Sequence, residues 1–169
     1  MKQDGLKNKL KSMEKSDLLS LLMDMAGLRK ENMEWLDLKL KDGTEIEESL
    51  RYFKGKIRGC IFNGERPNLS EARRFILNFK RISADEKHVI DLMLFYVETG
   101  DKLDEEYGDL YGQFYTSMEN MFISVIGLLK EPRNVGLKNE FVPRLKGIVD
   151  HAAEGWGYKD TLEEYLGEL

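Results

Sequence analysis

Val89-Ile90-Asp91-Leu92-Met93-Leu94-Phe95-Tyr96-Val97 is apolar at every position but Asp91. The run is far shorter than the roughly 20 apolar residues that span a bilayer. A helix that is apolar nearly all round is one enclosed by its neighbours. This stretch is therefore expected at the centre of the fold, with Leu92, Met93 and Tyr96 meeting Phe122 in the middle of the core. Ser83 or Asp85 supplies a helix cap just before it.

Helical spacing continues on both sides. Downstream, Gly100 to Gly112 reads as an acidic, glycine-containing loop. Phe114, Met118, Met121, Val125 and Leu128 then share one face, widened by Phe122 and Leu129, until Glu131-Pro132 ends the helix. Leu137, Phe141, Leu145, Ile148 and Ala152 form the next. Proline lacks the N–H donor that a helix interior needs, so that helix is expected to start near Asn139 or Val142, with Pro143 in its first turn. Trp156, between Gly155 and Gly157, is expected to anchor a turn before the helix of Leu162, Tyr165, Leu166 and Leu169.

Upstream, Asn68 or Ser70 caps a helix whose core face is Leu69, Ala72, Ile76 and Phe79. Thr44 opens one buried through Ile46, Leu50, Phe53, Ile57 and Cys60. Gly55 and Gly59 lie four apart on another face of it, as a close crossing or a weak helix would have them. Ser16 is expected to cap a helix that buries Leu18, Leu21, Leu22 and Met25 and stops at Gly27. Leu36 to Lys41 alternates like a strand, but Asp42-Gly43 has no partner strand after it, so the segment reads as helix. The expected fold is all-α: residues 1–169 as a single domain of eight to nine helices packed as stacked helical hairpins, an array or short superhelix. No repeat of solenoid length is present.

The chain has 169 residues, 41% hydrophobic and 34% charged, which excludes a disordered tail and a membrane span. It carries one cysteine and no apolar leader, so a cytoplasmic location is expected. The net charge of −5 is unevenly spread. Nine basic residues stand against two acids from Arg51 to Arg81, and ten acids against two lysines from Ala84 to Glu119. An acidic total opposes general nucleic-acid binding, which depends on phosphate neutralisation. A basic face can still bind an anionic partner. Arg51, Lys54 and Arg58 follow one another on one helix; Arg73, Arg74, Lys80 and Arg81 share a sector of the next. Joined by a short loop, the two are expected to merge into one interaction patch.

The chemistry-bearing residues are few. Asp85-x-x-His88 looks like half of a carboxylate metal motif, but with only His88 and His151 the set cannot be completed. His151 is expected to hydrogen-bond Glu154 at the surface. Asp101 to Asp109 is dense in oxygen ligands, yet lacks the glycine and glutamate that a calcium loop places at its sixth and twelfth positions. Cys60 falls on the buried stripe and reads as a small hydrophobe. No phosphate-cradling glycine loop or nucleophile elbow is present. No cofactor, metal or catalytic residue is expected, and the chain does not read as an enzyme.

Val97-Glu98-Thr99-Gly100, Tyr107-Gly108-Asp109 and Phe114-Tyr115-x-Ser117-Met118-Glu119-Asn120-Met121-Phe122 together resemble a pattern in uncharacterised all-helical prokaryotic proteins. Lys15-Ser16-Asp17-Leu18-Leu19-Ser20-Leu21-Leu22 is similar to their helical segments. The pattern is distantly like helical regions accompanying SWIM-type zinc-finger proteins, although no such finger is present. The resemblance implies a helical-hairpin fold and no activity. Independently of it, Tyr107, Asp109, Tyr115 and Glu119 are the polar remainder of this segment. They either line a groove with the acidic loop or fix that loop against the helix. The expected function is protein–protein interaction or scaffolding, with a protein partner. The alternative is a nucleic-acid-associated accessory role through the basic face of residues 51–81. The oligomeric state is left open.

Overall fold

The computed structural model describes residues 3–40, 43–83, 85–108 and 110–169. It is 86% helix, with no strand among those residues. Its contacts divide into two compact units, residues 1–42 and 43–169.

The first unit holds α1 (Gln3–Lys11), α2 (Lys15–Gly27) and α3 (Lys30–Leu40). The segment that alternates like a strand is helical from Leu36 to Leu40, as read, and Lys41 lies outside the described residues. Helices α2 and α3 pack as a hairpin. The Asn32 carboxamide donates to the Met25 carbonyl at 2.8 Å and ties the two together. Ser16 is not the cap of α2. The helix begins one residue earlier, after Glu14, whose side chain makes no capping bond. The expected apolar face of α2 is not buried either: Leu21, Leu22 and Met25 are exposed, and Ala26 alone is buried among the described residues of the unit.

The second unit holds α4 (Gly43–Phe62), α5 (Leu69–Ile82), α6 (Glu86–Tyr107), α7 (Gly112–Lys130), α8 (Val135–His151) and α9 (Tyr158–Gly167). Helices α4 and α5 form a hairpin closed by the Asn68 N–H to the Cys60 carbonyl, 2.8 Å. Asn68 caps α5 by accepting from the Glu71 N–H, and Asp85 caps α6 by accepting from the Lys87 N–H. Helix α6 packs on α4, α5, α7 and α8, and α9 closes against α7 and α8. Leu92, Met93, Tyr96 and Phe122 are all buried at the centre, as the apolar run demands. Leu69, Ala72, Ile76 and Phe79 are buried on α5 as expected.

Four readings are settled or corrected in this unit. Residues 101–107 are not loop. Helix α6 runs through them to Tyr107 and ends at Gly108 with φ +62°. Gly100 is a packing residue: a Cβ there would clash with the side chain of buried Met118, which would have to shift. Gly55 faces open space and Gly59 meets only Asn63, so this pair is no crossing point. Helix α8 begins at Val135, well before Pro143, which sits inside it. Pro143 is exposed while Phe141, Leu145 and Ile148 are buried, so core packing carries the helix through the lost backbone bond. His151 bonds the Gly147 carbonyl at 2.7 Å rather than Glu154.

Candidate functional site

Two members of the expected basic patch, Lys54 and Arg74, are engaged in ion pairs. On α4, Lys54 turns toward α6. Its ammonium lies 2.6 Å from Asp91 and 5.5 Å from the centre of the Phe95 ring. Arg58, one turn on, lines a shallow recess with Phe62, Lys102, Glu105 and Glu106. Arg73, on α5, lines a different recess with residues of α7, and the two recesses share no residue. Arg74 is held by Glu71 at 3.2 Å. Arg51, Arg58, Arg73, Lys80 and Arg81 are exposed and form no ion pair among the described residues.

Lys54 belongs to a half-buried charge cluster that was not legible in the sequence. Arg144, from α8, pairs with Asp91 and reaches Glu98 at 2.8 Å through its second terminal nitrogen. Burial pushes the Asp91 carboxyl up, but the hydrogen bonds and charges of Lys54 and Arg144 outweigh it and hold the group below the ordinary carboxylate range. The arrangement locks α4, α6 and α8 together.

The polar residues of the central segment divide. Tyr107 is exposed on the last turn of α6. Asp109 lies outside the described residues. Tyr115 is buried, and its hydroxyl donates to Asp104 at 2.5 Å. Its ring lies 5.4 Å from that of Tyr158 on α9. Tyr158 in turn donates to Asp101 at 2.8 Å. Glu119 is part-buried, which raises its carboxyl above the ordinary value. Of the four, Tyr115 fixes helix to helix, in a network whose other members, Asp101, Asp104 and Tyr158, sequence spacing could not supply.

Asp101 is the unusual group here. It is buried, and its Oδ2 has no hydrogen-bond partner among the described residues. Burial, aided by the charges of Asp104, Glu105 and Glu98, pushes its carboxyl up to about 7 against the pull of the Tyr158 hydrogen bond. The same burial and the adjacent carboxylate push the Tyr158 hydroxyl well above its usual range. The acids do not converge as cation ligands: no group of three or more possible metal-binding side chains exists among the described residues. Cys60 is half-buried, and burial raises its thiol, which disfavours the reactive thiolate.

The first unit presents a different surface. Leu19, Leu22, Met23 and Met25 of α2, Leu28 after it, and Met33, Trp35 and Leu40 of α3 are all exposed. The exposure is large, 53% at Met25 and 76% at Leu28. Among the described residues no helix is long and apolar enough to cross a membrane, so this surface is not part of a helical span. Trp156, expected to anchor its turn, is instead exposed on a left-handed backbone at φ 60°.

Fold and surfaces together define an all-helical protein with segregated charge and an uncovered apolar hairpin. The chain belongs to the family described as a family of unknown function (DUF6155), whose family model matches residues 1–167. No curated protein and no solved structure matches the chain.

Proposed function

We propose that this chain is a protein-interaction module whose docking surface is the α2–α3 hairpin. One observation carries the reading: the hairpin exposes Leu19, Leu21, Leu22, Met23, Met25, Met33 and Leu40 and buries Ala26 alone among its described residues. Exposed apolar area of this kind marks interaction surfaces. Methionine, flexible and polarisable, suits a surface that adapts to a partner. Two helices without a core gain little from each other, and a partner's apolar groove would give the leucines the burial their spacing encodes. The single cysteine supports a reducing, cytoplasmic setting. The absence of a recognisable catalytic constellation supports binding rather than catalysis.

Arg51, Arg58, Arg73 and Arg81, which form no ion pair among the described residues, favour a second reading, an anionic partner that is an acidic protein surface or a nucleic acid. The net charge of −5 weighs against nucleic acid. Affinity capture from nuclease-treated native lysate separates the readings. The Leu19→Ser/Leu22→Ser/Met23→Ser variant should lose a partner retained by wild type, and the Arg73→Glu/Arg74→Glu/Arg81→Glu variant should keep it in high salt. If the α2 variant retains every partner of the wild type, the hairpin is not the docking surface. Loss confined to the arginine variant, and relieved by salt, would move the function to the basic residues.

A further inference from the structure

A recess of about 440 Å³ opens between the start of α5 and the first turns of α7. Arg73, Ser70, Tyr111, Gln113, Ser117 and Asn120 are among its walls, and no carboxylate lines it, in a chain that holds 31 acids. Arg73 is the one charged group there, and it forms no ion pair among the described residues. The first turns of two long helices open onto the same space, which adds partial positive charge.

The floor is more informative than the walls. Ser117 is 5% exposed and shares a 2.7 Å hydrogen bond with the hydroxyl of fully buried Tyr96. Two hydroxyls carry two protons, and the bond between them uses one. Either hydroxyl can donate in this pair; with Tyr96 as the donor, the Ser117 proton is left for an acceptor in the recess. Thr116 and Ser124, on the same helix, each return their hydroxyl to the carbonyl one turn back, whereas Ser117 has no such bond. A buried donor without an acceptor is costly. An acceptor entering the recess would satisfy it.

We propose that this recess binds the phosphoryl group of a small phosphomonoester, with Arg73 and Ser117 as its two anchoring residues. A phosphoryl group brings three acceptor oxygens. The guanidinium fork spans two of them, and Ser117 donates to the third. A carboxylate carries a single charge and two oxygens in one plane, so it meets the fork and Ser117 together less well than the more highly charged, tetrahedral phosphoryl group. Gln113 and Asn120 face the organic remainder, for which the recess has room.

The full chain, isotopically labelled, is titrated with phenyl phosphate, inorganic phosphate and benzoate while the Arg73 Nε–H and the Gln113 and Asn120 amides are followed by NMR. Phenyl phosphate should saturate these signals at one molecule per chain, inorganic phosphate more weakly, and benzoate about tenfold more weakly still. Arg73→Gln, at an exposed position, should lower phenyl phosphate affinity about tenfold. Ser117→Ala should weaken it several-fold, and Arg74→Gln, outside the recess, should leave it unchanged. The proposal is overturned by an absence of saturable shifts, by benzoate matching phenyl phosphate, or by equal losses in Arg73→Gln and Arg74→Gln. That last result would mark a diffuse counter-ion effect.

Discussion

Replacing Asp101 by asparagine should make the protein less sensitive to pH. The reasoning begins with burial. The folded carboxyl titrates at about 7, against 3.8 for an ordinary aspartate. Folding therefore takes up a proton at this residue between those two values. A carboxyl raised in the fold favours folding on the acid side, and that advantage is lost as pH rises through the window. Each unit of displacement corresponds to about 1.4 kcal/mol, so the whole window is worth on the order of 4 kcal/mol. Between about pH 5 and pH 8 the wild type should lose roughly 2–3 kcal/mol through Asp101 alone. Asparagine keeps an oxygen to accept from Tyr158 and carries no titrating proton, so Asp101→Asn loses none of this. The assay is urea unfolding of both proteins across that range, read as the difference between their stabilities. Titrations elsewhere cancel in the difference. The variant should gain on the wild type steadily as pH rises. Two stability curves that stay parallel would refute the argument and show that Asp101 is ionised throughout, its orphan oxygen met by solvent.

Three further outcomes are expected in thermal or chemical melts. Leu92→Ala, at the fully buried centre of α6, should cost roughly 2–5 kcal/mol; a loss near zero would show that this helix is not central. Gly100→Ala should cost about 1–3 kcal/mol through overpacking against Met118, and a compensating Met118→Ala change should recover part of it, a coupling that independent sites would not show. Arg144→Met should cost on the order of 3 kcal/mol by stranding Asp91 and Glu98, and adding Asp91→Asn should return part of that loss in a double-mutant cycle.

The elements that sequence reading placed correctly are those whose signals are local. The apolar run around Leu92 encodes its own enclosure, and Asn68 and Asp85 cap helices that begin within a few residues of them. The misreadings share a cause of the opposite kind. Gly100, followed by acids, looks like a loop, and only Met118 on another helix shows why a glycine stands in a continuous α6. Pro143 looks like a first-turn residue, and only the burial of Phe141 and Leu145 keeps α8 running through it. The face of α2 has the spacing of a buried stripe, but periodicity says that a surface is to be covered and not by what. The site residues divide in the same way. Tyr115 and Glu119 are legible as the polar remainder of an otherwise apolar helix. Tyr158 escaped notice because its carboxylate partner lies 57 positions away, and Arg144 because its two partners lie on another helix.

The contact between Arg144 and α6 also has a meaning for alignment. Asp91 and Glu98 are seven residues apart, two turns or roughly 10 Å along the helix axis. A single guanidinium reaches both only when α8 stands at one height against α6. Apolar side chains are tolerant of small slips, since one leucine covers much the same surface as the next. A rigid, planar fork between two fixed charges has no such tolerance: displacing α8 by one turn would abandon a carboxylate at one end without meeting another. Lys54, arriving from α4, reads the same mark on the scale. The cluster thus acts as a gauge, selecting one setting of three helices among packings that oily surfaces alone would leave nearly equal in energy.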